Sequence, residues 1–189
     1  MRNTLKTAPL LPNDTTKKVN KDAFVDGMVA TLMKKENAKM TKEQATEFSQ
    51  AFFERIQQEA NAPAIEKEKK FLAENRTKEG VVETASGLQY KIVKAGKGEI
   101  PGENVTVKVN YTGTLLDGTK FDSSADHGTE PFEFNTSGGV IPAWIEAVKL
   151  MPVGSKWIVY APSALAYGSR DMGKIPPYST LIFEIELLE

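Results

Sequence analysis

The sequence predicts an α+β protein: a bent antiparallel sheet laid over one short helix in the C-terminal half, preceded by an all-α region with a long connecting helix. Three observations carry this expectation. Residues 140–151, Val-Ile-Pro-Ala-Trp-Ile-Glu-Ala-Val-Lys-Leu-Met, put Pro142 in a first helical turn, where its missing N–H is not needed, and then repeat Trp144, Ala147, Val148 and Met151 at helical spacing. Residues 105–111 before it and 181–187 after it alternate apolar with polar side chains, the pattern of strands buried on one face. The capping box Thr41-Lys-Glu-Gln44 opens a stripe of Ala45, Phe48, Phe52, Ile56 and Ala60, which predicts the longer helix.

Composition narrows the function classes. The 189 residues carry a formal net charge of −1, which excludes strong electrostatic attraction to nucleic acid or anionic membrane. No apolar run approaches the roughly 18 residues that would span a bilayer. The absence of cysteine removes disulfides, thiolate nucleophiles and cysteine-ligated metals. Met1-Arg-Asn-Thr-Leu-Lys6 has no apolar core of a signal peptide and reads like the middle of a domain, so residues upstream of it are expected.

Taken in order, residues 6–18 read as an irregular segment rich in Pro, Thr and Lys. Asn20 is a candidate N-cap for a short amphipathic helix bearing Phe24, Met28, Val29 and Leu32. The second helix meets Pro63, expected to kink it or restart it. Residues 64–78 continue as a polar helical arm, with Glu66-Lys-Glu-Lys-Lys70 read as a solvated face and the end near Gly80. Fewer than about 70 residues rarely make a self-sufficient core, so the apolar faces of these helices need a partner surface. That surface is either the C-terminal domain or a second copy of the chain. The domain division expected is 1–79, helical, and 80–189, β-rich.

Within 80–189, residues 86–93 start the sheet, and Asp117-Gly118 between Leu116 and Phe121 signals a hairpin. Gly96-Lys97-Gly98 is not a phosphate loop, because the further glycine spacing and a following helix are missing. His127 lies in a polar loop with no nucleophile placed near it and reads as a surface residue. Phe134 reads as core.

Six motifs then occur in register. Val109-Asn-Tyr-Thr-Gly113, Leu116-Asp-Gly-Thr-Lys-Phe-Asp-Ser-Ser124, Val140-Ile-Pro-Ala-Trp144, Met151-Pro-Val-Gly-Ser155, Leu165-Ala-Tyr-Gly168 and Ile175-Pro-Pro177 together resemble the FKBP-type peptidyl-prolyl cis-trans isomerases over residues 86–189. The helical region is similar, more loosely, to the dimerisation domain of the bacterial branch that includes the macrophage infectivity potentiator proteins. The resemblance implies an FKBP-like antiparallel sheet around a short helix. It implies a pocket made by Tyr111, Phe121, Asp122, Tyr167 and Phe183 as catalytic residues, with Phe132, Val140, Ile141, Trp144 and Ile175 holding substrate. Trp144 would be the floor, the Tyr167 hydroxyl and the Ile141 N–H would donate to a carbonyl, and Asp122 would be the charged group at the rim.

The implied chemistry needs no metal and no cofactor. Rotation about an X–Pro bond meets a resonance barrier of about 18–20 kcal/mol but makes and breaks no covalent bond. A pocket that strips water from the carbonyl favours the less polar, twisted state. The resemblance also implies proline-containing unfolded or nascent polypeptides as substrates, the macrocycles tacrolimus and rapamycin as ligands, a homodimer through the N-terminal helices, and a bacterial periplasm or cell envelope, with the cytoplasm as the alternative. A non-catalytic peptide-binding chaperone or dimeric scaffold is the competing function. Two departures from the family pattern are expected to matter: Ala143, where glycine is common, adds a methyl near the floor, and residues 169–174 carry neither histidine nor an aromatic ring, which leaves one wall open.

Overall fold

Strand β3 (Thr106–Leu115) is the hub of the sheet in the computed structural model, which describes residues 42–189. It pairs along one edge with β7 (Leu181–Leu187), while its other edge is shared: its first half pairs with β5 (Phe132–Asn135) and its second half with β4 (Lys120–Ser123). Beyond β7 lie β6 (Lys156–Ala161), β2 (Gln89–Lys94) and β1 (Val81–Glu83), so that seven antiparallel strands form one sheet. The two-residue alternation read from the sequence sets which face is covered. Val107, Val109 and Tyr111 of β3 and Leu181, Phe183, Ile185 and Leu187 of β7 are buried together. Strand β1, formed by Val81, Val82 and Glu83, is too short to announce itself in the sequence.

Gly118 has a φ of +85°, the left-handed conformation that the tight turn between β3 and β4 requires, and its N–H donates to the Leu115 carbonyl at 3.0 Å. A different constraint applies at Gly113. A Cβ there would lie 2.5 Å from Phe121 Cζ and 3.0 Å from Phe183 Cε1, so the missing side chain is what lets two rings close over β3.

The helix under the sheet, Pro142–Val148, is shorter than the 140–151 stripe suggested, with Met151 fully buried in the turn that follows it. Helix α1, by contrast, is a single element from Lys42 to Asn75 that runs through Pro63 without a restart; the short helix at 142–148 is α2. The expected helix after Asn20 lies outside the described residues. Among the described residues no helix is long and apolar enough to cross a membrane.

The compact unit that holds the sheet begins at Asn61, whereas the sequence divides the chain at 79/80. The reason is the inward stripe of α1. Residues 64–75 are solvated on one face only: Glu66, Lys67, Lys69 and Lys70 are exposed as expected, but Asn75 is fully buried, and its side-chain amide donates to Gln89 Oε1 at 3.0 Å. Gln89 Nε2 in turn donates to the Leu72 carbonyl at 2.9 Å and to Glu83 Oε2 at 2.6 Å. The Phe71 ring lies 5.9 Å from that of Tyr160 on β6. Glu68, from the run read as a solvated face, turns inward to Ser163 and Thr180.

Candidate active site

Trp144 projects from α2 into the concave side of the sheet and is 4 % exposed. Four rings meet it: Tyr111 at 4.7 Å, Phe183 at 5.3 Å, Phe134 at 5.5 Å and Phe132 at 5.9 Å between centroids. The Tyr111, Phe132 and Phe183 rings stand nearly perpendicular to it, the edge-to-face arrangement that ring quadrupoles favour. Phe121 completes the wall at 5.6 Å from Phe183, again edge to face. These side chains converge because Tyr111 and Phe183 alternate inward on the paired strands β3 and β7, while Phe121 and Phe132 enter from the two strands that share the other edge of β3.

The result is a hollow of about 200 Å³ lined by Tyr111, Phe121, Asp122, Phe132, Gly139, Val140, Ile141, Trp144, Tyr167 and Phe183. Nine of the ten residues singled out from the sequence are therefore brought together. Ile175 is not among the lining residues: it is 7 % exposed and belongs to the buried cluster, in a tight loop where its carbonyl accepts the Met172 N–H at 3.0 Å. Gly139 joins the lining through a left-handed turn, φ +87°, that the sequence marks only as a glycine pair. Ala143 is not among the lining residues; it is fully buried in the core cluster beside Trp144, so its methyl lies under the floor and not in the hollow. None of residues 169–174 contributes to the lining.

Two donors on residues that line the hollow have no acceptor among the described residues. The Ile141 N–H precedes the first turn of α2, where helix geometry supplies no partner, while its carbonyl accepts the Trp144 N–H at 3.0 Å. The Tyr167 hydroxyl likewise makes no hydrogen bond among the described residues; its ring lies 5.9 Å from the Arg170 guanidinium, which also donates to the Tyr167 carbonyl at 3.2 Å. The buried indole N–H of Trp144 is also without a partner among the described residues.

Asp122 is the opposite case. Its Oδ2 accepts the Tyr111 hydroxyl at 2.7 Å, and its Oδ1 meets His127 Nε2 at 2.7 Å and the Ser123 N–H at 2.9 Å. Burial alone would raise its pKa, but the bonds from Tyr111, His127 and Ser123 together hold the carboxyl below its ordinary range. Burial first, and then the bond to Asp122, pushes the Tyr111 hydroxyl well above the usual tyrosine value, so it remains a donor. The His127 contact is the one the sequence missed. A single helical turn over Ser124–Asp126, capped by the Ser123 hydroxyl on the Ala125 N–H, folds the loop back by five residues and delivers the imidazole to the carboxylate.

The described residues thus combine an antiparallel sheet over one short helix with an aromatic hollow whose lining residues carry two donors that no described residue accepts. Comparison with known proteins makes this specific. Residues 97–188 match the family model for FKBP-type peptidyl-prolyl cis-trans isomerase, and residues 6–92 match the model for the domain amino terminal to it. The chain is 58 % identical over 121 residues to the FKBP-type 22 kDa peptidyl-prolyl cis-trans isomerase of Escherichia coli, covering 64 % of this chain and 58 % of that one. It is 46 % identical over 178 residues to FkpA of Aeromonas hydrophila, covering 90 % of this chain and 65 % of that one. The chain thus spans between half and two thirds of the curated relatives it matches. Among solved structures it is similar to FkpA from Escherichia coli, with a TM-score of 0.65 at 37 % identity over 92 % of this chain and 83 % of that one. A peptidyl-prolyl cis-trans isomerase from Pseudomonas syringae gives 0.63 at 38 % identity, over 68 % and 94 %. The chain belongs to the FKBP-type peptidyl-prolyl cis-trans isomerase family.

Proposed function

We propose that this protein is a peptidyl-prolyl cis-trans isomerase that rotates X–Pro bonds in unfolded or nascent polypeptides without covalent chemistry. The observation that carries the reading is the pairing of an aromatic hollow of about 200 Å³ with two donors, Tyr167 OH and Ile141 N–H, that have no partner among the described residues. The pyrrolidine ring rests on Trp144 between Phe121, Phe132 and Phe183, and the donors hold the flanking carbonyls. Planar amide resonance is favoured by a solvated carbonyl; excluding water removes that advantage and lowers the barrier to the twisted state. Each tenfold acceleration requires only about 1.4 kcal/mol of preferential stabilisation. Asp122 already accepts three hydrogen bonds, so its role is to fix the Tyr111 ring and to supply a negative field at the rim rather than to act as an acid.

The site proper lies in 80–189, with the helical turns from residue 61 packed on it. The same slot suits the macrocycles tacrolimus and rapamycin, and the match of residues 6–92 supports a homodimer through the N-terminal helices that would hold long clients. Relatives such as the Legionella longbeachae protein named outer membrane protein MIP support a bacterial periplasm or envelope location over the cytoplasm.

The test is refolding of a proline-limited client together with turnover of a short X–Pro peptide. Wild-type protein should accelerate both, and Tyr167→Phe and Trp144→Ala should slow both. Slow phases that do not change on adding wild-type protein would reject catalysis in favour of a holding chaperone.

A further inference from the structure

The stripe of α1 that faces the sheet contains Ala64, Ile65, Glu68, Phe71, Leu72 and Asn75, positions that share one helical face. Glu68 is the one acid on it. Its Oε1 accepts the Ser163 N–H at 2.5 Å and the Thr180 hydroxyl at 3.3 Å, and its Oε2 accepts the Ser163 hydroxyl at 2.8 Å. Ser163 is 4 % and Thr180 1 % exposed, so the two hydroxyls Glu68 receives are withdrawn from water. A carboxylate on a packed face is tolerated when such donors satisfy it.

What Glu68 holds leads straight to the hollow. The carbonyl of Ser163 accepts the N–H of Ala166 at 3.0 Å and that of Gly168 at 2.8 Å, the two residues that flank Tyr167. The Gly168 carbonyl accepts the Tyr178 N–H at 2.8 Å, and Tyr178 lies two residues before Thr180, the other partner of Glu68. The backbone on both sides of Tyr167 is therefore bonded to a residue that is clamped by the helix, and the loop closes back on the same carboxylate.

We infer that Glu68 is a positioning residue that sets the Tyr167 hydroxyl at the lip of the hollow, so that the last turns of α1 are part of the working site and not a spacer. The inference rests on the reading of Tyr167 as a donor to the bound carbonyl. It does not need Glu68 to touch substrate. It also gives the helical region a direct route to the site, since any event that rotates α1 by one position would withdraw the clamp.

The experiment uses the full chain and the variants Glu68→Ala and Glu68→Gln, each with Tyr167 and with Tyr167→Phe. Amide hydrogen exchange is read at residues 163–168, and kcat and KM are read on a short X–Pro peptide. In Glu68→Ala the Ala166 and Gly168 amides should exchange about tenfold faster, while those of β7 keep their protection. Its kcat should fall by about tenfold, Glu68→Gln should lie between it and wild type, and Tyr167→Phe should abolish any further effect of either change. Unchanged exchange at 166 and 168, or an equal loss of turnover with and without the Tyr167 hydroxyl, overturns the inference. A wild-type chain with no turnover would instead refute the isomerase reading, and the exchange data would still decide whether Glu68 holds the loop.

Discussion

The Tyr111 hydroxyl donates to Asp122 Oδ2 at 2.7 Å, joining strands β3 and β4 at the rim of the hollow. The folded carboxyl titrates below its ordinary range despite its partial burial, because Tyr111, His127 and Ser123 all donate to it. Such a group adds stability that is fully present above its unfolded pKa of about 3.9 and is lost as pH falls through the lower folded value. Wild-type protein should therefore be more stable than Asp122→Asn at neutral pH, and the gap should close below about pH 4. Urea denaturation at stepped pH checks this; a gap that persists in acid would show that the bonds do not depend on the charge.

Gly113→Ala should narrow the hollow from behind. The new Cβ would meet Phe121 Cζ at 2.5 Å and Phe121 Cε2 at 2.7 Å, and an 8 %-exposed ring with Phe183 at its edge has little room to retreat except towards the cavity. We expect a stability loss of about 1–3 kcal/mol together with at least a tenfold fall in kcat/KM on an X–Pro peptide. Stability that falls with turnover intact would mean that the ring moves elsewhere.

Ala143→Gly separates the floor from the core. The methyl is fully buried and does not line the hollow, so removing it should weaken the helix by about 1 kcal/mol and leave peptide affinity within about twofold. Fluorescence titration and thermal melting on the same samples distinguish the two effects. A marked gain in affinity would return the residue to the pocket floor.

Truncation at Gly80 should be harmful in a way that truncation at Asn61 is not. Starting at residue 80 removes Phe71 from Tyr160, the Leu72 carbonyl and Asn75 from Gln89, and Glu68 from Ser163 and Thr180. Stranding Gln89, which is fully buried, and uncovering an aromatic ring should cost at least about 2 kcal/mol relative to the fragment 61–189. Equal unfolding midpoints for the two fragments would show that the helix contributes nothing to the domain.

The sequence by itself determined the sheet and its helix, because both are written in periodic patterns. Val107, Val109 and Tyr111 alternate along β3, residues 181–187 do the same along β7, and Trp144, Ala147 and Val148 recur on one helical face. Nine of the site residues were legible through the motifs that resemble a known family: six of them lie on strands or on the helix, and Val140, Ile141 and Tyr167 lie in loops that no period marks. Only the tertiary structure decided what polar side chains do, since a hydrogen bond leaves no period in the chain. His127 looked like any loop residue until a turn brought it to Asp122, and Glu68 looked like one charge in a solvated run until α1 packed against Ser163. Ile175 is a residue of the right type that is buried in the core cluster without joining the lining of the hollow. Burial along an element is a local property that spacing records, whereas the partner of a carboxylate is chosen only when distant segments meet.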